Sequence, residues 1–189
     1  MKQIIVLGFI FQMLVCDIWA KEDKQELVKW LSFEEASKEM SKNTSKMMLI
    51  DVYTVWCGPC RVMSERTLNH PEVAKIINTH FYPVKFNAEG NLPIHFLGQS
   101  YSNKDYKEEL ANSRNGVHSF TYYAAQTNRG IAYPTITFLN YNGTEKHPVQ
   151  GVMDAKEFAF LLYYVSEGHY KKNIDFQDFK KQNKEKINF

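Results

Sequence analysis

The sequence predicts an α/β sandwich, a mixed β-sheet with helices on both of its faces. Strand and helix patterns occur in the order strand, helix, strand, then helix, β-hairpin and helix. The first strand, at 47–53, is an almost uninterrupted apolar run, as expected of a buried central strand. Asn142 and Gly143 give a strong tight-turn signal between two later strands. With 189 residues, the chain is long enough for one domain with a sizeable core.

The elements follow from apolar periodicity and from capping signals. Ser32 and Glu35 have capping-box spacing at the start of a helical apolar pattern, and Asp154 and Glu157 repeat that spacing near the end of the domain. Pro71 suits the first turn of a helix. The predicted strands are 47–53, 81–86, 135–139 and 145–149. The predicted helices are 32–41, a helix from the cysteine pair to about 68, 71–79, 119–128 and a last one after Asp154.

Two segments fit these patterns less well. Residues 88–118 are predicted to be a long, irregular connection with a short helix at 104–112, and they either shape a groove or form a passive surface excursion. Residues 171–189 carry six lysines against three acidic residues. We expect either a charged, solvated C-terminal tail or a short docked helix there. The predicted domain therefore spans 21–170.

The first 20 residues have the pattern of a secretory signal peptide. Lys2 precedes an apolar run at 4–15, and a tolerable cleavage site ends at Ala20. The run is short for a membrane span. An uncleaved N-terminal anchor and lipidation at Cys16 remain as alternatives, although Val15 stands where lipoprotein signals usually have a small residue. We therefore expect an exported protein, which is periplasmic if the host is bacterial.

The cysteine count points to a working disulfide. Of the three cysteines, Cys16 lies in the predicted leader, so the mature chain keeps only Cys57 and Cys60. A disulfide that closes so short a loop adds little stability, which favours redox chemistry over a structural role. A zinc half-site is the alternative, but the sequence has no second CxxC pair and no closely spaced histidine pair, so we predict no metal. A net charge of +2 and the lack of a nucleic-acid-binding motif give no reason to expect a nucleic acid partner.

The cysteines lie where the strand at 47–53 gives way to a helix. At the start of a helix, unpaired backbone N–H groups and the helix dipole stabilise a thiolate. We therefore predict that Cys57 is the nucleophile and that its sulfur is exposed. Cys60, one turn further into the helix, would then attack Cys57 and release the substrate.

The segment Trp56-Cys57-Gly58-Pro59-Cys60 is identical to the active-site motif of the thioredoxin family. Residues 49–53 before the motif and Tyr133-Pro134-Thr135 after it also match, and the resemblance covers about 30–168. The chain resembles exported thioredoxin-like proteins. The resemblance implies a thioredoxin fold in which residues 88–118 are an insertion before a cis-proline. The pair Gly58-Pro59 between the cysteines is typical of members that act as reductants.

The resemblance also assigns roles around the cysteines. It implies that Asp51 is buried behind the pair and assists deprotonation of Cys60, with a solvent-facing strand aspartate as the alternative. Lys85 matches a family lysine near this aspartate, although an ordinary exposed lysine fits nearly as well. Pro134 matches the cis-proline opposite the cysteines, with a strand-edge proline as the alternative.

Four further residues near the cysteines, together with Pro134, are predicted to bind substrate. The backbone of Tyr133 would face an incoming peptide, and Trp56 would cover the site and exclude water, which is compatible with a place in the core. Gly58 and Pro59 would complete this surface.

The sequence thus predicts a thiol–disulfide oxidoreductase that reduces disulfides of client proteins outside the cytoplasm. The disulfide between Cys57 and Cys60 would be its redox group, with no other cofactor. A reductant in that compartment needs electrons from a membrane-embedded donor. The alternatives are a disulfide oxidase or isomerase, and a non-catalytic module that binds peptides beside Pro134.

Overall fold

The computed structural model describes residues 27–187. The predicted leader at 1–20, together with Cys16, lies outside this range. Within it, no helix is both long and apolar enough to cross a membrane.

A four-stranded mixed sheet forms the centre of the fold. The strands are β1 Met47–Tyr53, β2 Phe81–Asn87, β3 Ile94–Phe96, β4 Gln99–Tyr101, β5 Thr135–Leu139 and β6 Lys146–Gln150. The central sheet has the order β2-β1-β5-β6, in which β1 and β2 are parallel and the other pairs are antiparallel. The strands β3 and β4 form a separate hairpin. The predicted strand at 47–53 is confirmed, and β1 is the inner strand that pairs with both β2 and β5.

Six α-helices accompany the sheet within residues 27–187. They are α1 Phe33–Lys42, α2 Gly58–Val62, α3 Pro71–His80, α4 Ser119–Ala125, α5 Ala155–Ser166 and α6 Phe176–Gln182. Helix α2 continues directly as a π-helical segment, Met63–Leu68, so the helical stretch ends where the sequence predicts.

The predicted capping signals form at both ends of the domain. Ser32 Oγ accepts a hydrogen bond from Glu35 N at 3.1 Å, and Glu35 Oε2 accepts one from Ser32 N at 2.8 Å. At the start of α5, Asp154 Oδ1 accepts from Glu157 N at 2.8 Å. These bonds satisfy N–H groups that the first helical turn leaves without partners. Both predicted helix starts are confirmed.

The sheet is buried on both faces, which confirms the predicted sandwich. Alternate residues of a strand point to opposite faces. Met48, Ile50 and Val52 belong to a core cluster with α1, α4 and β3, and Met47 and Leu49 belong to a second cluster with α3 and α5. The alternation explains why the apolar run of β1 has almost no gap.

Three element predictions differ from the structure. The helix predicted at 119–128 ends at Ala125, because Thr127 and Gly130 bond to each other through their backbones instead. The helix predicted at 104–112 is only a 3₁₀ turn, Glu108–Leu110. The returning strand of the hairpin runs Lys146–Gln150, one residue later than predicted.

The C-terminal segment up to 187 is docked and is not a solvated tail. Phe179 of α6 is 1% exposed and Ile187 is 2% exposed, and both belong to the cluster that contains α3 and α5. Lys180 Nζ of α6 donates a hydrogen bond to Glu157 Oε2 of α5 at 2.7 Å. The many lysines of this segment obscured its two buried apolar residues, Phe179 and Ile187. The packed structure therefore continues past residue 170, where the sequence analysis ended the domain.

Replacement of Phe179 by alanine tests this docking. The change empties a buried aromatic site and should lower the free energy of unfolding by about 3 kcal/mol. Replacement of exposed Gln177 on the same helix by alanine should change it by less than about 0.5 kcal/mol. Urea denaturation of the two variants and the parent measures both values. Equal, small changes would contradict a docked α6.

Candidate active site

The two cysteines form a disulfide at the junction of β1 and α2. Cys57 is the N-terminal cap of α2, and the N–H of Cys60 points at its sulfur, with 3.1 Å from N to Sγ. Pro59 lies in the first turn, where its missing N–H costs no hydrogen bond. The helix therefore presents backbone N–H groups to Cys57, a setting that stabilises negative charge on sulfur.

Cys57 is 3% exposed, whereas the sequence analysis expected an exposed sulfur. It lies on the floor of a groove with a volume of about 540 Å³. The residues that line the groove are Trp56, Cys57, Gly58, Pro59, Glu89, Arg114, Val117, Ile131, Ala132 and Tyr133. Glu89, Arg114 and Val117 belong to the insertion at 88–118. The insertion thus lines the groove beside the cysteines.

Trp56 forms one rim of this groove and is held by three contacts. Its Nε1–H donates to Glu89 Oε2 at 2.8 Å. The guanidinium carbon of Arg114 lies 3.8 Å from the centroid of the indole ring. Tyr133 meets the same ring edge to face, with 6.1 Å between centroids. Two of these contacts come from the insertion, so the indole has a fixed orientation next to Cys57.

Tyr133 lines the groove, and the predicted cis-proline directly follows it in the chain. The bond between Tyr133 and Pro134 is cis, and the carbonyl of Pro134 accepts from Gly151 N at 2.9 Å. Burial and, secondarily, the carboxylate of Glu89 raise the pKa of Tyr133 to about 12. The Tyr133 phenol therefore stays protonated at physiological pH and faces the groove as a hydrogen-bond donor.

A small cavity lies behind the cysteines. It has a volume of about 130 Å³, and its lining includes Asp51, Thr54, Cys60 and Lys85. Asp51 is 3% exposed, and Lys85 stands directly opposite it in the register of β1 and β2. A cavity of this size with polar walls has room for water. The structure thus brings Asp51, Lys85 and Cys60 to the lining of one small pocket.

The sequence analysis missed Glu89 and Arg114. Glu89 is 7% exposed, and its Oε2 accepts from both Trp56 and the backbone N–H of Asn115. Glu89 lies in a loop with few apolar residues, so no periodic pattern in the sequence marks it. Arg114 reaches Trp56 only because of the course that the insertion takes in the folded chain. The folded loop alone brings these charges to the groove.

Within 27–187, no three side chains of His, Cys, Asp or Glu are grouped so that they could hold a metal ion.

Comparison with known proteins places the chain in a family. The sequence pattern of the thioredoxin-like domain matches residues 33–166. Among solved structures, the chain is similar to a thioredoxin-fold protein from Helicobacter pylori, with 17% identity over 86% of this chain and 91% of that one and a TM-score of 0.49. A thioredoxin from Thermus thermophilus has 18% identity over 73% of this chain and 86% of its own, with a TM-score of 0.48.

The reduced C-terminal domain of DsbD from Neisseria meningitidis has 18% identity over 68% of this chain and 89% of its own, with a TM-score of 0.43. None of the curated proteins matches the chain. Membership rests on the domain pattern, which covers most of the chain: this protein belongs to the thioredoxin-like family. The family and the disulfide between Cys57 and Cys60 support thiol–disulfide exchange as its chemistry.

Proposed function

We propose that this protein is an exported thiol–disulfide oxidoreductase that reduces disulfide bonds of client proteins. The observation that carries the proposal is the Cys57–Cys60 disulfide, which lies at a helix start and on the floor of an open groove. A purely structural disulfide has no need of a groove. The groove admits a client segment to Cys57, whereas Cys60 lines the cavity behind it.

The reaction proceeds by two exchanges at sulfur. The Cys57 thiolate of the reduced protein attacks one sulfur of a client disulfide, so that a mixed disulfide forms and one client thiolate leaves. The Cys60 thiolate then attacks Cys57 Sγ, which forms the Cys57–Cys60 disulfide and releases the second client thiolate. Two electrons pass to the client, and two protons complete its thiols. The N–H of Cys60 points at Cys57 Sγ and so favours the first thiolate.

Asp51 is proposed as the base for the second exchange. Cys60 is 7% exposed and must lose a proton before it attacks. Asp51 shares the cavity behind Cys60, and a water there would relay the proton to its carboxylate. Lys85, opposite Asp51 in the sheet, is proposed to tune that carboxylate by its positive charge.

The groove is proposed to bind the client main chain. Tyr133, whose bond to Pro134 is cis, lines one side, and Trp56, Gly58 and Pro59 line the other side next to Cys57. Contacts to backbone would make few demands on client sequence. The fixed indole of Trp56 shields the reacting sulfurs from water.

The direction of electron flow and the compartment belong to the same proposal. The Gly58–Pro59 pair favours a reductant, and the pattern of residues 1–20 favours export, with the periplasm as the compartment in a bacterial host. An exported reductant requires a membrane-embedded electron donor. Oxidation or isomerisation of client disulfides would use the same sulfurs with a higher reduction potential.

Two serine variants test the exchange mechanism. Cys60→Ser should accumulate a mixed disulfide between Cys57 and a client, because the second exchange is blocked. Cys57→Ser should form none and should lose client reduction by at least about 100-fold. Non-reducing electrophoresis and an insulin reduction assay measure both. Equal trapping by the two variants would reject Cys57 as the nucleophile, and full activity of Cys57→Ser would favour the peptide-binding module.

Replacement of Asp51 by asparagine tests the proposed base. The second exchange should slow by about tenfold at neutral pH, while the attack of Cys57 on a client disulfide should change little. The loss should shrink as pH rises, because Cys60 then loses its proton without help. Stopped-flow measurement of mixed-disulfide formation and decay separates the two steps. Equal slowing of both steps at every pH would show a structural role only.

A further inference from the structure

The insertion places a positive charge at the rim of the groove, one residue away from the reacting cysteine. Arg114 is exposed, and its guanidinium carbon lies 3.8 Å from the centroid of Trp56. Trp56 directly precedes Cys57 in the chain. A group bound by Arg114 would therefore lie beside the sulfur that Cys57 attacks.

The backbone that carries Arg114 is anchored on its C-terminal side. The N–H of Asn115 donates to Glu89 Oε2 at 2.8 Å, and the Asn115 side chain bonds the backbone N and O of Lys107 at 2.9 and 2.8 Å. At Gly116 the loop packs so closely that a Cβ would lie 2.7 Å from its neighbours. The stacked position of Arg114 is thus built into the folded insertion.

Arg114 forms no ion pair within the described part of the chain. No carboxylate between residues 27 and 187 lies within 4.0 Å of its guanidinium. Glu89 is instead occupied by the N–H groups of Trp56 and Asn115. A guanidinium that stacks on a ring keeps the N–H groups at its own edges free, and there a carboxylate can accept two parallel hydrogen bonds.

The rest of the groove complements such a contact. Val117 and Ile131 provide apolar surface, and the Tyr133 phenol is a neutral donor. The carboxylate among its lining residues, Glu89, already accepts from Trp56 and from the backbone of Asn115 through Oε2. The groove therefore offers the Arg114 cation, apolar walls and a hydrogen-bond donor around Cys57. This set fits an acidic side chain that stands next to a disulfide and is flanked by apolar residues.

We propose that Arg114 selects client segments that carry Asp or Glu beside the disulfide cysteine. This inference rests on the function proposed above and names its substrate class. The acidic side chain binds the free edges of the Arg114 guanidinium while the neighbouring client sulfur lies against Cys57. Selection acts in the first exchange, because the contact forms when the client enters the groove.

Three peptides test the proposal. They carry the same intramolecular disulfide and differ in one residue beside a cysteine, which is Glu, Gln or Lys. The rate at which each peptide oxidises the reduced protein is followed by tryptophan fluorescence and divided by its rate with dithiothreitol, which removes intrinsic reactivity. The Glu peptide should react about threefold to tenfold faster than the Gln peptide at low salt, and the Lys peptide slowest. High salt should shrink the preference.

The variant Arg114→Gln should bring the ratio of Glu to Gln rates close to one, and Arg114→Lys should keep only part of it because lysine lacks the planar fork. Lys104→Gln removes an equal charge from an exposed site of the same insertion and should keep the wild-type ratio. A wild-type ratio near one, or the same ratio in Arg114→Gln, would overturn the proposal. Oxidation by none of the peptides, nor by uncharged hydroxyethyl disulfide, would instead reject the thiol–disulfide function itself.

Discussion

The junction between β1 and α2 is the constraint on which the site depends. Because β1 is paired on both sides, its end fixes Cys57 relative to two neighbouring strands. Pairing with β2 brings Lys85 opposite Asp51, and pairing with β5 brings Pro134 to the same end of the sheet. The helix that starts at Gly58 then points the N–H of Cys60 at the sulfur. The end of this one strand thus positions the disulfide, the small cavity and the groove.

The insertion turns this shared framework into a particular site. Glu89 accepts from both the Trp56 indole and the backbone beside Arg114, so a single buried carboxylate ties the insertion to the active-site motif. As a result, Cys57 lies on a groove floor and not on an open surface. Access to the sulfur therefore depends on a segment outside the motif.

Local signals predicted most of the fold and the centre of the site. The apolar run of β1, the caps at Ser32 and Asp154 and the cysteine pair each have a cause within a few residues, and the structure reproduces them. The docking of Phe179 and the stacking of Arg114 on Trp56 depend on contacts between residues far apart in the chain. No periodic pattern encodes such contacts, so the C-terminal helix stayed an open alternative and the groove wall was missed.

The equilibrium reduction potential of the Cys57–Cys60 pair tests the central claim most directly. The leaderless protein is equilibrated with dithiothreitol or glutathione buffers, and the reduced fraction is read from thiol alkylation. A reductant of the thioredoxin type should have a potential near about −270 mV. A potential near about −180 mV, the value typical of disulfide isomerases, would contradict reduction and move the protein to oxidation or isomerisation of client disulfides.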